Sequence, residues 1–190
     1  MQKLKSISNA LAGRAAMVAG CALAADGVLQ VLHSQKNAGS RVVGVAGNLN
    51  LVFVAVALVA LAPVFVALAR YGRSSAAEKA GLAAAGGACL LAIGCLTSII
   101  NQHDLAVFPA IAGAANVAWL GGTVALAVSL KRAGRVPSAV AVGLPITWIF
   151  TIPLATIGGC VVAGGYFLAV GYLLLNQAIE RHAMQPVPVH

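Results

Sequence analysis

Residues Gly47–Ala69 read GNLNLVFVAVALVALAPVFVALA, with no charged side chain anywhere in the run. A helix needs about 20 predominantly apolar residues to cross a hydrocarbon core about 30 Å thick, and this run is long enough. Working outward, runs of the same kind cover Arg14–His33, Ala77–Ile100 and Val107–Leu130. The stretch Pro137–Gln177 is too long for one span and contains Pro145, Pro153 and the pair Gly158–Gly159. The glycine pair supplies the backbone freedom that a tight reversal needs, so it divides this stretch into a fifth and a sixth helix. A re-entrant segment followed by one span, giving five spans in all, is the other reading of that region.

Composition agrees. Of 190 residues, 61% are hydrophobic and 8% charged, against roughly a quarter charged in soluble domains. Such a chain is too apolar to be disordered. Its long unbroken apolar runs also exclude a porin-type barrel, whose strands alternate over segments of about ten residues. The fold expected is an all-α, polytopic membrane helix bundle of six transmembrane helices, a single transmembrane domain over residues 1–190.

Basic residues orient it. With six spans, Lys3, Lys5, Arg14, Arg70, Arg73, Lys79, Lys131, Arg132, Arg135 and Arg181 share one side, and Lys36 and Arg41 lie on the other. The positive-inside rule then puts both termini in the cytoplasm, with the protein in the cell membrane. The count of six depends on Arg181. The net charge of +8 reflects loops lying beside anionic lipid headgroups, so membrane lipid is the expected partner. No basic run is dense enough, or interleaved with aromatics, to bind nucleic acid, and no protein partner is indicated.

Val18-Ala19-Gly20-Cys21 resembles the box before a lipidated cysteine, and Ala22-Leu23-Ala24 a peptidase site. Arg14 leaves only Ala15–Gly20 as an apolar core ahead of them, shorter than a signal peptide needs, so the segment reads as a retained helix.

Helices in lipid associate through small-residue faces that let backbones approach closely. The third helix offers Gly81, Ala84, Ala85, Ala88 and Ala92, with Gly94 on a neighbouring stripe. The fourth offers Gly113, Ala114, Gly121 and Gly122, and the sixth Cys160, Gly164 and Ala169. Pro63, Pro145 and Pro153 fall inside the spans as read, making the fifth helix the one most prone to bend. Cys21, Cys89, Cys95 and Cys160 form no CxxC pair and read as small core residues, so neither a metal nor a disulfide is expected. No cofactor motif is present.

Asp26 is the acid that lies deep in a span, about 10 Å below His33 at the end of the first helix. An acid at that depth costs about 3 kcal/mol on insertion scales and needs a partner or a task. Asp26, Gln30 and His33 fall at i, i+4 and i+7 on one helix face. Other polar residues share their end of the bundle: Asn48 and Asn50 on the second helix, Thr97 to His103 closing the third, and Asp104 before the fourth. Asn116 and Trp119 lie on the fourth helix, and Trp148, Thr151 and Thr156 on the fifth. A polar pocket in this half, with Asp26 near its floor, is the sharpest expectation. Asp26 is then the candidate catalytic acid, with Gln30, His33, Asn48, Asn50, His103, Asn116, Trp119 and Trp148 as candidate substrate contacts. Simpler roles compete: wet loop residues for His33 and His103, interhelical hydrogen bonds for the asparagines, and packing for the tryptophans. Zinc held by His33, His103 and Asp104 would require their proximity.

Gly164-Gly165-Tyr166 and Gly171-Tyr172-Leu173-Leu174 are similar to the last span of small multi-pass bacterial membrane proteins of unknown function. Leu29-Gln30-Val31-Leu32-His33 and Val107-Phe108-Pro109-Ala110 resemble the same group. The likeness touches roughly a fifth of the chain and implies topology alone. Membrane-bound terpene cyclases, small helical proteins that protonate with buried acids, are a second resemblance. This chain departs from them in being poor in aromatics and in having one deep acid.

The function expected is a membrane-embedded enzyme of cyclase or isomerase type, in which Asp26 as general acid works on a lipophilic, isoprenoid-like substrate. The alternatives are a non-catalytic structural, immunity or accessory membrane protein, or a small proton-coupled transporter subunit. The sequence shows no Ser/His/Asp set, paired carboxylates, P-loop or HExxH. It also shows no internal repeat, and no polar path continues to the cytoplasmic side.

Overall fold

The computed structural model describes residues 8–33, 42 and 44–176. Helix α1 is Asn9–Leu32, α2 Gly44–Ala69, α3 Ser75–Asn101, α4 Phe108–Ala133, α5 Ser138–Thr151 and α6 Gly159–Leu175. The first four are long and apolar enough to cross a membrane; α5 and α6, at 14 and 17 residues, are shorter apolar helices. The protein is thus an all-α, multi-pass integral membrane protein. Lys3, Lys5, Lys36, Arg41 and Arg181 lie outside the described residues.

Local chemistry sets the helix ends. Ser8 Oγ accepts from the Leu11 amide and Ser74 Oγ from the Ala77 amide, both at 3.1 Å, capping α1 and α3. Glu78 in the first turn of α3 and Lys131 and Arg132 in the last turn of α4 complement the helix dipoles. Gly134, at φ +63°, ends α4 by donating to the carbonyls of Leu130 and Lys131.

The fifth helix is shorter than the sequence suggested. Pro153 lacks the N–H that would continue the ladder, so α5 stops at Thr151. Pro153 and Thr156 therefore lie in the connecting turn, not inside a span. A 3-10 turn follows over Ala155–Ile157, Gly158 takes φ +88°, and α6 starts at Gly159. The reversal at the glycine pair is where the sequence placed it.

The helices neighbour one another in chain order, and α6 closes a ring against α1. Glycines set this seam at seven-residue intervals: Gly13 packs on Gly171, Gly20 on Gly164, and Gly27 on the backbone of Val161. A repeat of seven keeps one face toward a nearly antiparallel neighbour. Between α3 and α4, Gly87 meets the backbone at Ala115 and Trp119, and Gly122 meets Ala80 and Ala84. Gly81 presses on Phe65 and Ala69 of α2. Gly113, Ala114, Gly121 and Ala169, read as packing residues, instead face outward. Outward-facing Leu96, Ile100 and Val117 are also exposed, as expected of surfaces solvated by hydrocarbon.

Within the ring, Phe65 and Phe167 meet edge to face with centroids 6.5 Å apart. The described basic residues, Arg14, Arg70, Arg73, Lys79, Lys131, Arg132 and Arg135, all gather at one end of the bundle. Asn48, Asn50, Asn101, Gln102, His103 and Asp104 gather at the other.

Candidate functional site

Asp26 is fully buried at the α1–α2–α6 junction, about 9 Å from the end of α1. Gln30, one turn on, donates through Nε2 to Asp26 Oδ2 at 2.8 Å, and Asn50 of α2 donates through Nδ2 to Oδ1. Cys160 of α6 packs against the same turn of α1, at Gly27, and its thiol donates to the Thr151 carbonyl at 3.9 Å. Gly27 makes this junction possible, because the backbone of α6 passes where a side chain on residue 27 would stand. The acid is thus held by donors from two helices, α1 and α2, with both oxygens engaged.

Asn48 does not join this cluster. It exchanges amide hydrogen bonds with Gln102, donating at 3.5 Å and accepting at 3.1 Å, and so links α2 to the end of α3. Ser98 donates to Asp104 at 2.6 Å across the α3–α4 connection. His33 and His103 are exposed, and His103 Nδ1 lies 2.7 Å from the Asn101 carbonyl. Among the described residues, no group of three His, Cys, Asp or Glu side chains is placed to hold a metal ion. Of the cysteines, Cys95 and Cys160 are buried, Cys89 is half-buried and Cys21 is exposed, so the reading of all four as core residues fails at Cys21.

A cavity of about 250 Å³ occupies the ring's interior on the polar-end side, lined by residues of all six helices and the turn after α5. Its walls are chiefly apolar, including Leu23, Val54, Leu58, Leu91, Phe108 and Ala112. The polar and sulfur-bearing residues among its lining are Asn116, Trp119, Thr151, Cys95 and Cys160. This differs from the polar pocket expected from the sequence, and Asp26 is not its floor. Leu23, one turn before the acid, and Cys160 line the cavity whereas Asp26 does not, and Trp119, about 16 Å down α4, lies deepest on that helix. Half-exposed Ile152 is part of the lining, so the cavity reaches the surface beside the end of α5.

Two of the anticipated contacts therefore meet at the cavity, Asn116 and Trp119, and a third braces Asn116: Trp148 Nε1 donates to Asn116 Oδ1 at 2.9 Å. Asn116 Nδ2 in turn donates to the Ala112 carbonyl at 2.8 Å. Gln30 and Asn50 serve Asp26, whereas His33, Asn48 and His103 lie apart at the polar end. Sequence reasoning missed the role of Cys160 beside the acid. Its one signal was its place on the small-residue face of α6.

Comparison with known protein families, curated proteins and solved structures finds no match. What stands is a multi-helix membrane protein with four long apolar helices.

Proposed function

We propose that the protein is a six-span membrane protein, with both termini in the cytoplasm, that binds one lipophilic molecule in the cavity between its helices. The cavity, built from every helix and lined mainly by apolar groups, is the observation that carries this reading. Inside a bilayer, transfer from lipid gives an apolar ligand no hydrophobic advantage. Filling a preformed void is different: it gives the lining side chains the dispersion contacts they lack, while lipid closes behind the departing molecule.

The six-span topology has its own support. α6 runs beside α1 from Gly171–Gly13 to Val161–Gly27, so it lies at the depth of a span-length helix although it is shorter. The gathering of the described basic residues at one end favours that end as cytoplasmic. Asp26 acts in this reading as a clamp between α1 and α2, outside the cavity lining.

Catalysis is the second reading, and one observation favours it. Cys160 both lines the cavity and neighbours the Asp26 carboxyl, so a side-chain shift there would open the acid to a bound molecule. In that case Asp26 supplies a proton and Asn116 and Trp119 orient the substrate.

The test is binding of indane to the protein in lipid nanodiscs, measured against empty nanodiscs. Specific binding that is lost in Ala112→Phe, which fills the cavity, is the expected result. Uptake of both indane and its ketone, indanone, no greater than in empty nanodiscs would overturn the reading.

A further inference from the structure

The chemistry of the cavity's ligand follows from the one buried side-chain N–H or O–H donor left unanswered among the described residues. Trp119 is 1% exposed and lines the cavity, and its indole N–H finds no acceptor among the described residues. The contrast with Trp148 is direct, since that indole is satisfied by Asn116. Buried indole N–H groups usually find a partner, because leaving one unmade forfeits the hydrogen bond it had in water.

We infer that the cavity takes a neutral, ring-sized lipophilic molecule whose carbonyl- or ether-type oxygen accepts a hydrogen bond from Trp119. This rests on the reading of the cavity as a ligand site and adds the ligand's class to it. Neutrality follows from the lining, which includes no Lys, Arg, Asp or Glu. An acceptor is required because the free polar group is a donor. The second N–H of Asn116 Nδ2 adds another donor on the same wall, its first being directed at Ala112. Size follows from volume: a cavity of about 150 Å³ holds benzene, so one of 250 Å³ holds roughly ten non-hydrogen atoms, about two fused rings.

Indanone and indane separate the ligand class from the existence of the site, because they share a shape and differ by one carbonyl oxygen. Binding of each to the protein in nanodiscs is measured relative to empty nanodiscs, which removes their different solubility in lipid. The inference predicts that indanone binds at least about five-fold more tightly than indane. It also predicts that indanone, and not indane, moves the Trp119 indole N–H resonance of the nitrogen-15-labelled wild-type protein downfield. In Trp119→Phe the preference disappears while indane binding persists. Equal binding of the two probes, or indanone binding without a shift at Trp119, would overturn the inference and leave the cavity reading standing. If neither probe binds, both fail. Should Trp119→Phe not fold, the resonance shift in the wild-type protein decides alone.

Discussion

Gly20 of α1 and Gly164 of α6 face each other backbone to backbone. A Cβ on Gly20 would lie 2.8 Å from the Gly164 carbonyl oxygen, and one on Gly164 would lie 2.6 Å from that of Gly20. This contact, repeated a heptad away at Gly13 and Gly171, closes the ring and encloses the cavity. In a bilayer, where burying leucine against leucine gains little over lipid, such close approach is what holds two helices together.

Adjacent glycines on α6 should consequently respond in opposite ways. Gly164→Ala drives a methyl into backbone that cannot yield and should destabilise the protein by about 1–3 kcal/mol. Gly165→Ala meets nothing within 4 Å and should be neutral or stabilising by up to about 1 kcal/mol through helix propensity. Reversible unfolding in mixed micelles checks both, and equal effects would break the packing argument.

Asn48 and Asn50, two residues apart on α2, point to different faces and serve different partners. A double-mutant cycle of Asp26→Ala with Asn50→Ala should show a coupling of about 0.6–1.7 kcal/mol, the range of interhelical hydrogen bonds in membranes. The cycle of Asp26→Ala with Asn48→Ala should show none, because Asn48 pairs with Gln102. Reversal of that order would mean that the α1–α2 register is misassigned.

The junction of α5 with α6 depends on Tyr166, whose ring covers Gly143 and whose hydroxyl donates to the Val140 carbonyl at 2.5 Å. Gly143→Ala places a methyl inside that ring and should cost about 1–3 kcal/mol. Adding Tyr166→Ala removes the clash, so the double variant should lose less than the sum of the single ones. Strict additivity in the same unfolding assay would contradict this.

Topology is testable by labelling from either side of the membrane. In a cysteine-free background, Arg73→Cys and Arg135→Cys should react with an impermeant maleimide from the cytoplasmic side alone. His103→Cys, exposed at the polar end, should react from the opposite side alone. Labelling of all three from one face would rule out the proposed orientation.

Much of this fold was legible in the sequence because hydrocarbon demands long uninterrupted apolar runs, and α1 to α4 supply them. The Gly158–Gly159 reversal was legible too, since a tight turn needs backbone freedom. The Asp26–Gln30 contact could be read from helical spacing. Helix faces were harder. Both sides of a lipid-solvated helix are apolar, so hydrophobic periodicity does not say which side is buried. That is why Gly113, Gly121 and Ala169 looked as suited to packing as Gly87 and Gly164, and why the heptad of Gly13, Gly20 and Gly27 went unused. Inter-helix register was not legible either. Asn48 and Asn50 were equal candidates, and only the packing of α2 on α1 assigns Asn50 to the acid. That Leu23 and Cys160 line the cavity while Asp26 does not is a matter of inter-helix packing, which no spacing rule encodes.

The central claim is a ligand site between the helices, and the most direct measurement is an experimental structure of the protein in lipid with indanone present. The account predicts density for one molecule bounded by Leu23, Trp119 and Cys160, with its oxygen within hydrogen-bond distance of Trp119 Nε1. A closed core in which Leu58, Leu91 and Phe108 fill the same space, with no molecule between them, would contradict it.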